Sequence, residues 1–93
     1  MLNLNLNGLS RMKYWNHRVI YKKDKQTGLE SFEIHEVYYS KKGKIESWTE
    51  LAVAPFGETK EILKKELKYF KKALKQPILV EKLKGKKNKL VEL

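Results

Sequence analysis

The sequence predicts an α+β domain of order β-β-β-α: a three-stranded antiparallel meander followed by one amphipathic helix, with room for a short C-terminal strand. Three observations carry this. Between Tyr14 and Glu50, runs rich in aromatic and β-branched residues alternate from side to side as strands do. Two turn signals, Asp24-Lys25-Gln26-Thr27-Gly28 and Ser40-Lys41-Lys42-Gly43-Lys44, divide those runs. After a break at Ala54-Pro55-Phe56-Gly57, the apolar spacing changes to the four, three, four of a helix.

Taken in order, the first strand covers about Lys13 to Lys23. It puts Trp15, His17, Val19 and Tyr21 on one side and Tyr14, Asn16, Arg18 and Ile20 on the other. Asp24 offers an Asx-type start to the first turn and Gly28 a residue free to take positive φ. The second strand, about Glu30 to Tyr39, pairs back antiparallel. Gly43 in the left-handed region would close a type I turn as a G1 bulge before a third strand, Ile45 to Glu50. Thr59 is a natural N-cap for a helix reaching about Lys75 or Gln76, whose stripe of Leu63, Leu67, Phe70 and Leu74, widened by Ile62 and Ala73, should face the sheet. Pro77 ends the helix, and Ile78-Leu79-Val80 can return beside the meander. This places the domain at residues 13–80. Residues 81–93, where Lys82, Lys84, Lys86, Lys87 and Lys89 interleave with Leu83, Leu90 and Val91, read as a basic tail, with a further strand as the alternative. Residues 1–12 read as a leader or an extra strand, because leucine alternates with asparagine from Leu2 to Asn7.

Composition narrows the function classes. A chain of 93 residues supports one core and leaves little room for a deep cleft. With 41% hydrophobic and 34% charged residues it is neither disordered throughout nor a membrane protein, and it reads as cytoplasmic, with no membrane among its partners. The absence of cysteine removes disulfides, thiolate metal sites and cysteine nucleophiles. A formal charge of +10 favours a nucleic acid or an acidic protein as partner. Its distribution is uneven: residues 57–93 hold twelve basic and five acidic side chains, against nine and six before them. Nearly all the cations are lysines, arginine appearing only at Arg11 and Arg18, and lysine offers a point charge where arginine offers a bidentate fork.

The runs Trp15-Asn16-His17-Arg18-Val19-Ile20, Ile34-His35-Glu36-Val37-Tyr38-Tyr39, Trp48-Thr49-Glu50 and Pro55-Phe56-Gly57-Glu58-Thr59, in that order, resemble a small uncharacterised bacterial and phage protein family with W-N-x-R-V-I, I-H-E-V-Y-Y, W-T-E and P-x-G-E-T motifs. The likeness covers about Trp15 to Leu79. It implies no activity. This chain departs from the family at Ile62, where an acidic residue would complete a capping box, and in the lysine-rich surface of its helix.

The candidate binding residues are His17, Arg18, His35, Tyr39 and Trp48 on the sheet, with Lys64, Lys68, Lys71, Lys72 and Lys75 on the helix. The aromatic group Trp15, Tyr21, Phe32, Tyr38, Tyr39 and Trp48 can stack on bases or pair across strands. His17, His35, Glu36 and Glu50 lie on neighbouring strands, but alternation sets His35 and Glu36 on opposite faces, so neither a metal site nor a cofactor is implied. The expectation is a small, basic, non-catalytic binding module for a nucleic acid or an acidic protein, working through the sheet face opposite the helix. A self-associating homodimer without nucleic acid is the alternative. A third reading comes from His17-Arg18-Val19-Ile20-Tyr21, which resembles a strand of RelE-type ribonuclease toxins; there Arg18, His35, Lys41 and Lys42 would act without metal.

Overall fold

The computed structural model describes residues 12–93, so the readings made for residues 1–11, including Arg11, lie outside the described residues. Among the described residues the chain is α+β, as its alternation and helical spacing predict, but its sheet has five strands. These are β1 (Met12–Lys23), β2 (Glu30–Ser40), β3 (Ile45–Trp48), β4 (Leu79–Lys84) and β5 (Lys87–Glu92), with helix α1 (Lys60–Ala73) between β3 and β4. Across the sheet the order is β3-β2-β1-β4-β5. The first three strands form the expected meander, whereas β4 pairs parallel to β1 through Ile20 with Leu79 and Tyr21 with Val80.

The turns follow from their residues. Asp24 Oδ1 accepts hydrogen bonds from the Gln26 and Thr27 amides at 2.8 and 2.9 Å, and Gly28 closes the turn with φ 77°. Gly43, at φ 80°, does the same for the second turn, and a register shift at Tyr38 and Tyr39 absorbs the irregularity. Thr59 caps α1, its hydroxyl accepting from the Ile62 amide at 3.1 Å. Before that cap, a Cβ on Gly57 would stand 2.4 Å from the Leu63 nitrogen, so the chain can enter the first helical turn this closely only with glycine there.

Residues 81–93 are not a tail. Leu79–Lys84 and Lys87–Glu92 pair as an antiparallel hairpin, Val80 opposite Val91 and Glu81 opposite Leu90, and Gly85, at φ 63°, occupies the first central position of its two-residue turn. The interleaved leucines and lysines that suggested a tail are the two faces of this ribbon.

The main buried cluster lies on the opposite side of the sheet from the one expected, while Val19, Phe70 and Ala73 are buried on the helix side. Ile20, Val37, Tyr39, Leu79 and Leu90 form the buried cluster, with Ile45 and Trp48 packed against it. All seven lie on the face away from α1, yet Ile20 and Val37 have no exposure. The sheet itself covers them. It curls until its edge strands β3 and β5 face one another across a cleft of ≈ 470 Å³ lined by residues 43–46, 48 and 87–91, giving a half-closed barrel. Alternation places two apolar faces on β1 and β2 but does not say which one a curl will bury.

The helix therefore contributes less to the core than its stripe suggested. Phe70 and Ala73 are buried against β1 and Leu63 is half-buried, but Leu67 and Leu74 remain 49% and 69% exposed. The energetic order follows: Ile20→Ala should cost about 2–5 kcal/mol of unfolding free energy, while Leu67→Ala should stay within about 0.5 kcal/mol. Urea denaturation of the two variants checks this, and the reverse ranking would return the core to the helix side.

Candidate functional site

The sheet residues proposed for binding separate into two environments. Arg18, His35 and Tyr39 face the barrel interior and are 8%, 0% and 5% exposed. Trp48 packs there too. The face expected to work as an open surface is thus closed by the protein's own strands.

Inside, Arg18 donates from one terminal nitrogen to the Tyr39 hydroxyl at 2.9 Å and from the other to the Pro77 carbonyl at 2.8 Å. Tyr39 stacks on Tyr14 with ring centroids 4.6 Å apart. The guanidinium therefore ties β1 to β2 and to the chain leaving α1. Among the described residues Arg18 Nε and Asn16 Oδ1 have no hydrogen-bond partner, a cost borne within the fold.

Directly across the ladder from Arg18 is His35. Its Nδ1 lies 2.9 Å from the Thr49 carbonyl and its Nε2 3.1 Å from Glu33 Oε1. Thr49 is in place because its own amide continues the β2 ladder, donating to the Glu36 carbonyl at 3.0 Å. Lys22 adds an ion pair to Glu33 at 3.4 Å. The hydrogen bond from His35, followed by the Lys22 charge, holds the Glu33 carboxyl below the ordinary glutamate range against the opposing effect of desolvation. These contacts position strands; they leave no open face on which Arg18 or His35 can meet a substrate. Lys41 and Lys42 sit in the exposed β2–β3 turn, so the four residues of the ribonuclease reading share no accessible surface.

The outer face carries the second environment. His17 is 7% exposed, its ring 4.3 Å from that of Phe70 and edge-on to Trp15 at 5.2 Å. Glu36 faces outward and accepts a short hydrogen bond from the Tyr38 hydroxyl. Burial, reinforced by that carboxylate, pushes the Tyr38 phenol up to about 12. Among the described residues no three histidine, aspartate or glutamate side chains are grouped to hold a metal ion.

Between β1 and α1 runs a groove of ≈ 570 Å³ lined by Trp15, Asn16 and His17 on one wall and by Glu66, Tyr69, Lys72 and Gln76 on the other. The helical residues recur every three or four positions, forming a row along one flank of α1 and its C-terminal turn. Lys72 Nζ lies 5.4 Å from the centre of the Tyr69 ring, a cation–π arrangement. Trp15 and Tyr69 are 51% and 56% exposed. Of the residues proposed from sequence, His17 and Lys72 meet here; Trp15 was weighed only within the aromatic group, and Tyr69 was missed because a lone tyrosine on a lysine-rich helix gives no pattern.

Lys64, Lys68, Lys71 and Lys75 are exposed on the side of α1 turned from the sheet. A second basic surface is on the β4–β5 ribbon. Lys82 pairs directly with Lys89 and Lys84 with Lys87, so four ammonium groups stand on one face. That face continues from Val80 and Tyr21 and is the side on which α1 lies. Within the described residues no lysine of α1 or the ribbon is in an ion pair. No protein-family model, curated protein or solved structure matches this chain.

One pH dependence follows from Glu33. Its folded-state value is depressed, so its contribution to stability is fully present above the ordinary glutamate range, about 4.3, and is lost as pH falls through the lower folded-state value. Glu33→Gln should reduce the urea midpoint at pH 7, and the two proteins should converge in acid. Parallel midpoint curves across that range would show that Glu33 contributes nothing through ionisation.

Proposed function

We propose that this chain is a small, basic, non-catalytic binding module whose partner is a nucleic acid, held chiefly by its phosphates. The observation that carries the reading is the pair of facing lysines, Lys82 with Lys89 and Lys84 with Lys87, on the same side of the sheet as the lysine surface of α1. Like charges directly opposite on a ladder are unfavourable, as are like charges four apart on a helix, and both recur here. A polyanion following the ribbon and the helix converts this repulsion into attraction and releases its counterions on binding. Lysine rather than arginine on these surfaces favours contact with phosphate over reading of base edges, because Arg18, the one arginine among the described residues, is inside the barrel.

Self-association is the second reading, favoured by Leu67 and Leu74, apolar and exposed on the helix flank away from the groove.

The lysine pairs give an experiment with two opposite signs. Lys82→Glu should stabilise the fold by a few tenths to about 1 kcal/mol by removing a facing repulsion. It should also weaken binding to mixed-sequence oligonucleotides and lower the slope of log affinity against log salt by about 1 or more. Fluorescence anisotropy over a salt series measures the second effect and thermal denaturation the first. No binding by the unaltered protein at low salt would end the nucleic-acid reading.

A further inference from the structure

Phosphate contact alone leaves the β1–α1 groove unused. Its volume, ≈ 570 Å³, lies within the span of about 300–1,000 Å³ usual for sites that enclose a small organic group. Its two walls are chemically distinct: Trp15 and His17 on the strand, Tyr69 and Lys72 on the helix. Aromatic rings left half-exposed on both walls of one groove offer π surfaces to a flat ring entering between them, and a base in such a position loses its water on both faces.

The charges decide where a phosphate can go. Glu66 lines the groove, so a phosphate at that depth would meet a carboxylate. Lys72 lies over Tyr69, one turn along, and Lys68 and Lys75 flank it on the exposed face. An anionic backbone thus fits along the lysines with its uncharged base turned inward. There Glu66 can accept from an amino or imino group of the base, and Gln76 brings a side-chain amide to the same groove. The bases of a duplex are stacked and paired and cannot turn into a lateral groove without being extruded, whereas a single strand offers them freely.

We infer that the groove between β1 and α1 is a pocket for an unpaired nucleobase, with Trp15 and Tyr69 as its stacking surfaces and Lys72 on the adjoining phosphate, and that the protein consequently prefers single-stranded to double-stranded nucleic acid. This rests on the nucleic-acid reading above and adds a strand preference and a site to it. The half-exposed Leu67 flank, lacking any such combination of flat rings and cations, has no part in the site.

The chain reports on itself, because its two tryptophans are Trp15 in the groove and Trp48 packed against the core. In a Trp48→Phe protein shown by circular dichroism to be folded, a single-stranded oligonucleotide should quench the remaining Trp15 emission, while a duplex of the same length and sequence should quench it weakly. Trp15→Leu and Tyr69→Leu should each lower single-strand affinity about tenfold and leave duplex affinity within twofold, since stacking on one aromatic ring is worth roughly that factor. Lys82→Glu should weaken both substrates alike. Salt-dependent binding with equal affinity for the two forms, or binding unchanged by Trp15→Leu, would overturn the base pocket while leaving the phosphate contact in place. A protein that binds neither form at low salt would remove the phosphate reading as well.

Discussion

The junction between β1 and β4 holds the architecture together. Only Ile20 with Leu79 and Tyr21 with Val80 join the two strands, yet this short parallel pairing brings the C-terminal hairpin into the sheet and lets the whole layer curl. Curling is what makes a core possible in a chain this small. A flat three-stranded layer would leave one face of β1 and β2 in water; the curl instead encloses Ile20, Val37, Tyr39, Leu79 and Leu90 without needing a second layer. The connection through α1 is the physical requirement for that pairing, because a parallel partner needs a crossover rather than a tight turn.

The same constraint divides the polar residues. Those drawn inside are fixed by partners: Arg18 by Tyr39 and Pro77, His35 by Thr49 and Glu33. Buried polar groups held this way add directional contacts that an apolar core lacks, at the cost of the unpartnered Arg18 Nε. Those left outside lie on or beside α1, where the helix shields His17 with Phe70 but leaves Trp15 and Tyr69 open. The interior polar contacts and the exposed Trp15 and Tyr69 thereby sit on opposite surfaces of one sheet.

Much of the fold was legible from local chemistry. The bounds of β1 and β2, the glycines at both meander turns and the Thr59 cap follow from side-chain alternation and turn or cap preferences, which act within a few residues. What could not be read depended on distant contacts. Ile78-Leu79-Val80 looks like a strand in isolation, but its parallel place beside β1 is set by the crossover, and the pairing of Leu90 with Glu81 depends on Gly85 turning the ribbon back. Because the curl was not visible, Arg18, His35, Tyr39 and Trp48 were expected on a working surface; the first three are instead interior, and Trp48 is half-buried against the core. The helix lysines were legible as a basic surface. The groove beside them was not, since it forms where Trp15 and Tyr69, 54 positions apart in the chain, come to line the same space.

Amide hydrogen exchange of the C-terminal hairpin, followed residue by residue by NMR, tests the central claim most directly. If the β1–β4 junction encloses the core, the amides of Val80 and Val91, a hydrogen-bonded pair of the ladder, exchange only through near-global opening, while those from Lys84 to Lys87 at the ribbon tip exchange much faster. Uniform exchange at the rate of an unstructured chain from residue 79 to residue 92 would contradict it, because the sheet would then have no fourth and fifth strands with which to close.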